Sequence, residues 1–304
     1  MPNWRKMTKL AIATVVSSDE YQFYLPLFTF CAHRAYPYAA IKVFVCGKLD
    51  PDSRPFIHGK VYENMFEGYQ EGESTYNAMR QLLPAKYFEG CDYLYSTDAD
   101  FLMFKQKVSH MDYYAAVMDK IQQPIACARG PLRGLAATRL DGYGWTENRT
   151  RIAAGCIMQK IPEWFEATSV ARKYYRHLVK HQRADRFDSV PACTYREFDE
   201  VMIYRICKMS DLRTPDRKDH FLNGEKMNAI YRDIHLGDFK FKKRYHNPSK
   251  MKRILRNRNV KNYLELQNVP EWQRITDYVS GKSGTIRRML KKLDKYVSQR
   301  LRQG

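Results

Sequence analysis

Two aspartates separated by one small residue are the strongest chemical feature of the sequence. Asp98 and Asp100 follow an apolar, β-rich stretch at residues 93–97, and a second apolar stretch at residues 101–104 comes directly after them. Ligands of open α/β sheets bind at the carboxyl ends of strands, where these acids are expected to lie. Two such carboxylates can converge on a hard divalent cation, which can bridge the diphosphate of a nucleotide. Acid pairs also occur in surface turns, but the apolar flanks favour a metal site.

The order of predicted strands and helices along the chain indicates a sheet that would position Asp98 and Asp100. Strand-like and helix-like segments alternate, and this βαβ rhythm is typical of a parallel sheet flanked by helices. Strands are predicted at residues 10–16, 41–46, 93–97, 124–128 and 152–159, with a last short strand ending at residue 235. Helices are predicted from capping residues 17–19 to about residue 35 and at residues 73–83, 111–121, 163–181 and 196–208, with a loop at residues 133–149. We expect one α/β domain over residues 1–245.

Length and composition exclude a disordered or membrane-spanning chain. The 304 residues are 44% hydrophobic, and no apolar run approaches the ~20 residues that a transmembrane helix needs. The basic opening of the chain passes into a predicted strand without a cleavage site of the secretory type, so no secretory signal is expected. The seven cysteines show no CxxC pair and no zinc spacing, which favours reduced thiols and a cytoplasmic setting.

Four segments, in the same order along the chain, resemble those of GT-A fold glycosyltransferases of family 8, the lipopolysaccharide galactosyl- and glucosyltransferase-like group. The first is YLYSTDADFLMF, around the two aspartates. The others are residues 18–25 ahead of Tyr36-Pro37, residues 76–84, and His235-Leu236-Gly237 with Lys240. The resemblance covers roughly residues 9–243. It implies a GT-A (Rossmann-like) mixed sheet flanked by helices, a bound Mn²⁺ or Mg²⁺ ion, and a nucleotide-sugar donor that we expect to be UDP-linked.

The resemblance also implies a role for each matching residue. Asp98, Asp100 and His235 would hold the metal, and Asp98 would also meet the nucleotide sugar. The other residues expected at the nucleotide sugar are Val16, Ser17, Tyr21, Arg80 and Lys240. Asp199 and Glu200 resemble an Asp-Gln pair that lies beside the transferred sugar in the family. They are the predicted catalytic residues.

The residue types suit several of these roles, and the chain departs from the family pattern in three places. A neutral imidazole can be a third metal ligand, an arginine fork matches a phosphate, and a tyrosine ring can stack on a base. The interval from His235 to Lys240 is one residue shorter than the family pattern, and Ala153-Ala154-Gly155 stands where the family often has Asn-x-Gly. Glu200 replaces the amide of the Asp-Gln pair and could act as a base for the acceptor hydroxyl. Retention of the sugar configuration is the expectation, and inversion stays open.

The positive charge is concentrated in the C-terminal part of the chain. Lys and Arg number 52 against 33 Asp and Glu, a net charge of +19. Residues 240–304 hold 19 of these cations and four acids, a net of +15, which leaves residues 1–239 close to balance. Apolar residues at helical spacing accompany the cations over residues 286–301, after a joint at residues 281–284 that is predicted to be flexible. Residues 246–304 are therefore predicted to be a basic, helical membrane-association segment.

The preferred hypothesis is a metal-dependent, hexosyltransferase-like enzyme that moves a sugar to a glycan or a lipid-linked acceptor, peripheral on the cytoplasmic face of a membrane. The alternative is a nucleic-acid-binding or nucleotidyl-processing metalloenzyme that uses the same carboxylates and the basic tail. A helix that docks on an acidic protein is a third hypothesis. Nucleic acid offers nothing to an apolar stripe, whereas an anionic bilayer accommodates both the cations and the stripe. We expect a chain ending near Ser280 to lose vesicle binding and to keep its catalytic site.

Overall fold

The computed structural model of the protein describes residues 9–17, 19–68, 79–106, 108–129, 152–181, 198–213, 219, 221–222, 225–226, 233–240 and 257–302. Its strands are β1 (Leu10–Ser17), β2 (Ala40–Cys46), β3 (Lys60–Tyr62), β4 (Tyr93–Thr97), β5 (Phe101–Leu102), β6 (Ile125–Arg129), β7 (Ile152–Lys160), β8 (Phe221–Leu222), β9 (Glu225–Lys226) and β10 (Ile234–His235). Its helices are α1 (Leu25–Ala35), α2 (His110–Ile121), α3 (Ile161–Ala167), α4 (Ser169–His181), α5 (Phe198–Met209), α6 (Asn257–Gln267), α7 (Pro270–Lys282) and α8 (Gly284–Arg302).

Six strands form one sheet in the order β3-β2-β1-β4-β7-β6. Strands β3, β2, β1 and β4 are parallel to one another, while β7 is antiparallel to both β4 and β6. The carboxyl ends of β1 and β4, at Ser17 and Thr97, therefore lie at the same edge of the sheet. Because β7 runs in the opposite direction, its amino-terminal half reaches that edge as well. This mixed sheet with flanking helices confirms the predicted fold class.

Helices cover both faces of the sheet. The side chains of Leu10 and Ile12 in β1 join a core cluster that includes α1, α2 and α6 to α8. The intervening Ala11 and Ala13 join a second cluster that includes α3, α4 and α5. Burial on both faces explains why β1 is a continuous apolar run rather than an alternation of apolar and polar residues.

The predicted elements correspond to observed ones, with three changes. The helix expected from capping residues 17–19 to about residue 35 begins as the 3₁₀ helix Glu20–Tyr24 and continues as α1. The helix expected at residues 163–181 is divided into α3 and α4 at Thr168, whose hydroxyl donates a hydrogen bond to the Trp164 carbonyl at 2.6 Å. Of the helix expected at residues 73–83, the described part contains the short 3₁₀ helix Arg80–Leu82. Residues 69–78 and the predicted loop at residues 133–149 lie outside the described part of the chain.

The last helix belongs to the same core as the sheet. Five apolar side chains of α8 are buried, and they are Ile286, Met289, Leu290, Leu293 and Val297. The joint that we predicted to be flexible is structured, because Ser283 is buried and its hydroxyl accepts a hydrogen bond from the Ile286 amide at 3.1 Å. An amphipathic pattern suits a protein core as well as a bilayer, and here the protein covers most of the stripe. No described helix is both long and apolar enough to cross a membrane.

This packing replaces the expectation that a chain ending near Ser280 keeps its catalytic site. Each buried apolar side chain contributes roughly 1.5–3 kcal/mol, so the five together rival the roughly 5–15 kcal/mol stability of a typical domain. We predict that a chain ending at Ser280 loses its cooperative thermal unfolding transition, measured by calorimetry and near-ultraviolet circular dichroism. A chain ending at Gln299 lacks only the last residues, including the exposed Leu301, and should unfold like the full chain. Cooperative unfolding of the shorter chain would contradict the prediction.

Candidate metal centre

A two-stranded ladder outside the main sheet brings the third polar residue to the two aspartates. Strand β5 follows Asp100 directly and pairs in antiparallel fashion with β10, so that His235 lies opposite Phe101. The Leu236 amide donates a hydrogen bond to the Asp100 carbonyl at 2.8 Å. The rings of Phe101 and His235 stack with their centroids 4.7 Å apart. The backbone and the ring contact together position the imidazole against the acids.

The three polar side chains converge on one point. Nε2 of His235 lies 3.0 Å from Oδ2 of Asp100, and one ligand atom from each of Asp98, Asp100 and His235 lies within 4.8 Å of the other two. Oδ1 of Asp100 is buried and has no hydrogen-bond partner among the described residues. A buried carboxylate oxygen normally has a partner, and a bound cation would supply it. Two carboxylates and one imidazole suit Mn²⁺ or Mg²⁺, so the described residues fit the implied metal.

Two glycines leave the space that this arrangement needs. A Cβ atom on Gly155, in β7, would overlap Oδ2 of Asp98. A Cβ atom on Gly237 would lie 2.7 Å from Oδ2 of Asp100 and 2.9 Å from Nε2 of His235. Neither position could carry a larger residue without displacing a predicted ligand. Ala153-Ala154-Gly155 therefore retains the glycine of the family pattern at a place where it contacts the site.

The electrostatics of the centre favour a positive charge. Burial opposes the charged imidazolium of His235, but the carboxylates of Asp100 and Asp238 outweigh it and raise the pKa of His235 well above its ordinary value. Oδ2 of Asp238 faces Nδ1 of the same ring at 3.6 Å. A carboxylate on the far side of a ligating imidazole orients the ring and strengthens it as a ligand. Asp238 belongs to none of the motifs in the sequence.

Arg80 lies beside the metal centre, and a second arginine holds it there. Its Nη1 donates a hydrogen bond to Oδ1 of Asp98, and the side chain is buried. The 3₁₀ helix that carries it is bound by Arg172 of α4, which donates to the carbonyls of Gln81, at 3.0 Å, and of Leu83. The sequence carries no sign of this role, because a basic residue on an amphipathic helix is normally exposed to solvent. Only the packing of α4 against the 3₁₀ helix shows that Arg172 is buried.

A buried histidine–aspartate pair holds the paired strands β5 and β10 in place. Nε2 of His110, at the start of α2, lies 2.8 Å from Oδ2 of Asp233, and both side chains are buried. Oδ1 of Asp233 accepts a hydrogen bond from the Phe104 amide at 3.0 Å. One carboxylate thus joins the chain after β5, the start of α2 and the start of β10. Neither residue carried a sequence signal beyond its polar character.

The remaining predicted contacts of the nucleotide sugar lie at the ends of β1 and β10. The side chain of Val16 is in the core, so only its backbone could meet a ligand, while the Ser17 hydroxyl donates to Oδ1 of Asp19 at 2.6 Å. Burial raises the pKa of Tyr21 well above its ordinary value, and the Asp100 and Asp98 carboxylates add to that increase. Lys240 is exposed at the end of the 3₁₀ helix Leu236–Phe239.

The predicted catalytic residues are placed only by their backbone. Asp199 and Glu200 belong to the first turn of α5, and their side chains lie outside the described part of the structure. Helix α5 buries Met202 and Ile206 in the cluster that also contains Ile157 of β7. The two acids therefore begin a helix packed on the strand that supplies Gly155.

Comparison with known proteins gives structural likenesses only. No family model and no curated protein matches the chain. The galactosyltransferase LgtC, solved with donor and acceptor sugar analogues, is 13% identical with a TM-score of 0.40 over 64% of this chain and 69% of that one. The glycosyltransferase GlyE of Streptococcus pneumoniae TIGR4 is 11% identical with a TM-score of 0.41 over 95% of this chain and 64% of that one. The bifunctional glycosyltransferase WbbM is 9% identical with a TM-score of 0.41 over 68% and 38%. All three are glycosyltransferases, the class that the sequence resembles.

The glycine at position 237 provides a test of the metal centre. In a Gly237→Ala variant the new methyl group must displace Asp100 or His235, so we predict that Mn²⁺ binds about 10- to 100-fold more weakly. Isothermal titration with MnCl₂ measures the affinity. Gly281→Ala is the matched control, since a Cβ atom at that position meets nothing within 4 Å. Equal Mn²⁺ affinity of the two variants would show that the centre is not the metal site.

Proposed function

We propose that the protein is a metal-dependent glycosyltransferase that uses a nucleotide-sugar donor, most simply a UDP-sugar. The observation that carries the proposal is the convergence of Asp98, Asp100 and His235 at the carboxyl edge of the sheet, with Arg80 in contact with Asp98. Cations at that edge can neutralise a diphosphate, and a diphosphate is the leaving group of a nucleotide sugar. The likeness of the chain to known glycosyltransferases agrees with this function.

Each residue of the centre has a separate proposed role. Asp98, Asp100 and His235 would hold the divalent cation, which when bound stabilises negative charge on the leaving diphosphate. Arg80 donates a hydrogen bond to Oδ1 of Asp98 and so would hold that carboxylate in position. Lys240, which follows the 3₁₀ helix Leu236–Phe239, would add a positive charge.

Transfer itself exchanges one bond for another at the anomeric carbon. The bond from that carbon to the diphosphate oxygen breaks with its electron pair on the phosphate, and a bond to the acceptor oxygen forms. The acceptor hydroxyl must lose its proton, and Asp199 or Glu200 is the proposed base. Retention of configuration, which we propose on the family resemblance, requires the acceptor oxygen to attack from the face that the diphosphate leaves. Attack from the opposite face would invert the configuration, and analysis of the product anomer distinguishes the two.

The experiment is a screen of nucleotide sugars with Mn²⁺, measuring release of the nucleoside diphosphate. We predict turnover of at least one donor, most simply a UDP-sugar, and a loss of about 100-fold or more in Asp98→Asn. Asp112→Asn is the matched control, because Asp112 is an exposed carboxylate at the start of α2. Asp98→Asn also removes the charge that pairs with the buried Arg80, so it should unfold at a lower temperature than Asp112→Asn, and turnover is compared well below both unfolding temperatures. Metal-dependent turnover that survives in Asp98→Asn would overturn the role of the centre.

Thermal protection separates this function from the nucleic-acid alternative. A ligand that binds only the folded state raises the unfolding temperature, and the stabilisation grows with the logarithm of the ligand concentration above its Kd. UDP with Mn²⁺ should therefore stabilise the protein, whereas oligonucleotides with Mn²⁺ should not. Stabilisation by oligonucleotides alone would favour a nucleic-acid-processing enzyme.

We also propose that the protein acts at an anionic membrane surface, where a lipid-linked or surface glycan acceptor would be reached. Helix α8 buries most of its apolar stripe, and its exposed cations are Arg287, Arg288, Lys291, Lys295 and Arg302. We call these five residues the basic face. Because little apolar surface is left to insert, attachment would be electrostatic, at about 1 kcal/mol per cation.

Vesicle binding tests this attachment. Changing Arg288, Lys291 and Lys295 to glutamine should weaken binding to phosphatidylserine-containing vesicles by about 3 kcal/mol, on the order of 100-fold. Binding of the unaltered chain should also fall steeply with added salt, because the charges are exposed. The control changes three exposed lysines elsewhere, Lys60, Lys86 and Lys173, to glutamine. Equal binding by the two triple variants would contradict the proposal.

A further inference from the structure

Helix α8 contacts both chain segments that frame the metal centre. One is the 3₁₀ helix Glu20–Tyr24, which follows β1 and carries Tyr21. The other is the 3₁₀ helix Leu236–Phe239, which follows His235 and carries Gly237. These two segments lie far apart in the sequence, and α8 meets each of them through polar as well as apolar groups.

The amino-terminal end of α8 is tied to the first segment. The Ser283 hydroxyl donates a hydrogen bond to Oε1 of Glu20 and accepts one from the Ile286 amide. The bond from Ser283 is the largest cause that lowers the pKa of Glu20, and the charge of Lys240 acts in the same direction. One turn further along, the Tyr24 hydroxyl lies 3.8 Å from the Met289 sulfur.

The middle of α8 is tied to the second segment. Nζ of Lys292 donates a hydrogen bond to the Phe239 carbonyl at 3.1 Å. Phe239 is fully buried, and its ring lies 6.2 Å from that of Tyr296, one turn beyond Lys292. The carbonyl belongs to the last residue of the turn whose Gly237 packs on Asp100 and His235.

We propose that Lys292 and Ser283 are positioning residues of the metal centre, acting through these two segments. The inference rests on the proposed function, because it assigns the metal site as the place where their effect is felt. Lys292 fixes the end of the turn after His235, and Ser283 fixes the residue before Tyr21. Helix α8 then helps to hold the active site in place, in addition to presenting a charged surface.

The test is a Mn²⁺ titration, by isothermal calorimetry and without vesicles, on Lys292→Met. Methionine keeps the length of the stem and removes the donor, so we expect Mn²⁺ to bind about tenfold more weakly. Lys292→Arg restores a donor and should recover most of the affinity. The matched control is Lys261→Met, since Lys261 is an exposed lysine of α6 whose contact with Glu265 spans 3.9 Å.

A purely structural role would lower the unfolding temperature without changing the affinity for Mn²⁺ well below that temperature. Equal affinities of Lys292→Met and Lys261→Met would therefore overturn the role of Lys292. If Lys292→Met does not fold, Ser283→Ala is titrated in its place against Ser280→Ala, with the same expected loss and the same contrary outcome. Absence of Mn²⁺ binding by the unaltered chain would instead overturn the metal site of the proposed function.

Discussion

The pairing of β5 with β10 is the constraint on which the candidate site depends. Asp98 and Asp100 are neighbours in sequence and supply only two ligands, too few for a firm divalent-cation site. The ladder places His235 opposite Phe101 and secures the register by the hydrogen bond from the Leu236 amide to the Asp100 carbonyl. A shift of one residue in this short ladder would turn the imidazole to the other side. A ladder with two residues in each strand is thus enough to bring the three candidate ligands together, provided that neighbouring residues hold the two strands in register.

Buried polar groups provide that support. The His110–Asp233 pair joins both strands of the ladder to α2, and Arg172 binds the 3₁₀ helix that carries Arg80. Buried charges are costly unless they are paired and hydrogen-bonded, so such groups contribute little net stability. Their value here is in specifying one arrangement, which an apolar core alone would not do. Gly155 and Gly237 serve the same end, because a Cβ atom at either position would overlap one of the two carboxylates.

The C-terminal helices carry exposed cations as well as apolar side chains that pack in the core. They hold 11 lysines and arginines against four acids, a net of +7 out of the +19 of the protein, and the exposed cations suit an anionic surface. Their apolar side chains are buried with α1 and the sheet, and α8 also contacts the segments on both sides of the metal centre. On the proposed function, the helix that would bind a membrane surface is also the helix that contacts the segments beside the candidate metal centre.

The sequence by itself predicted the α/β fold class, most of the strands, and the three candidate metal ligands that the structure brings together, because hydrophobic periodicity and short motifs are local properties. It also singled out Arg80, which the structure places beside Asp98. It could not show that the stripe of α8 faces the core, since an amphipathic pattern is the same whether protein or lipid covers it. Nor could it identify Arg172, Asp238 or the His110–Asp233 pair. Only the tertiary structure decided these, because their roles come from contacts between residues far apart in the chain, which local pattern does not record.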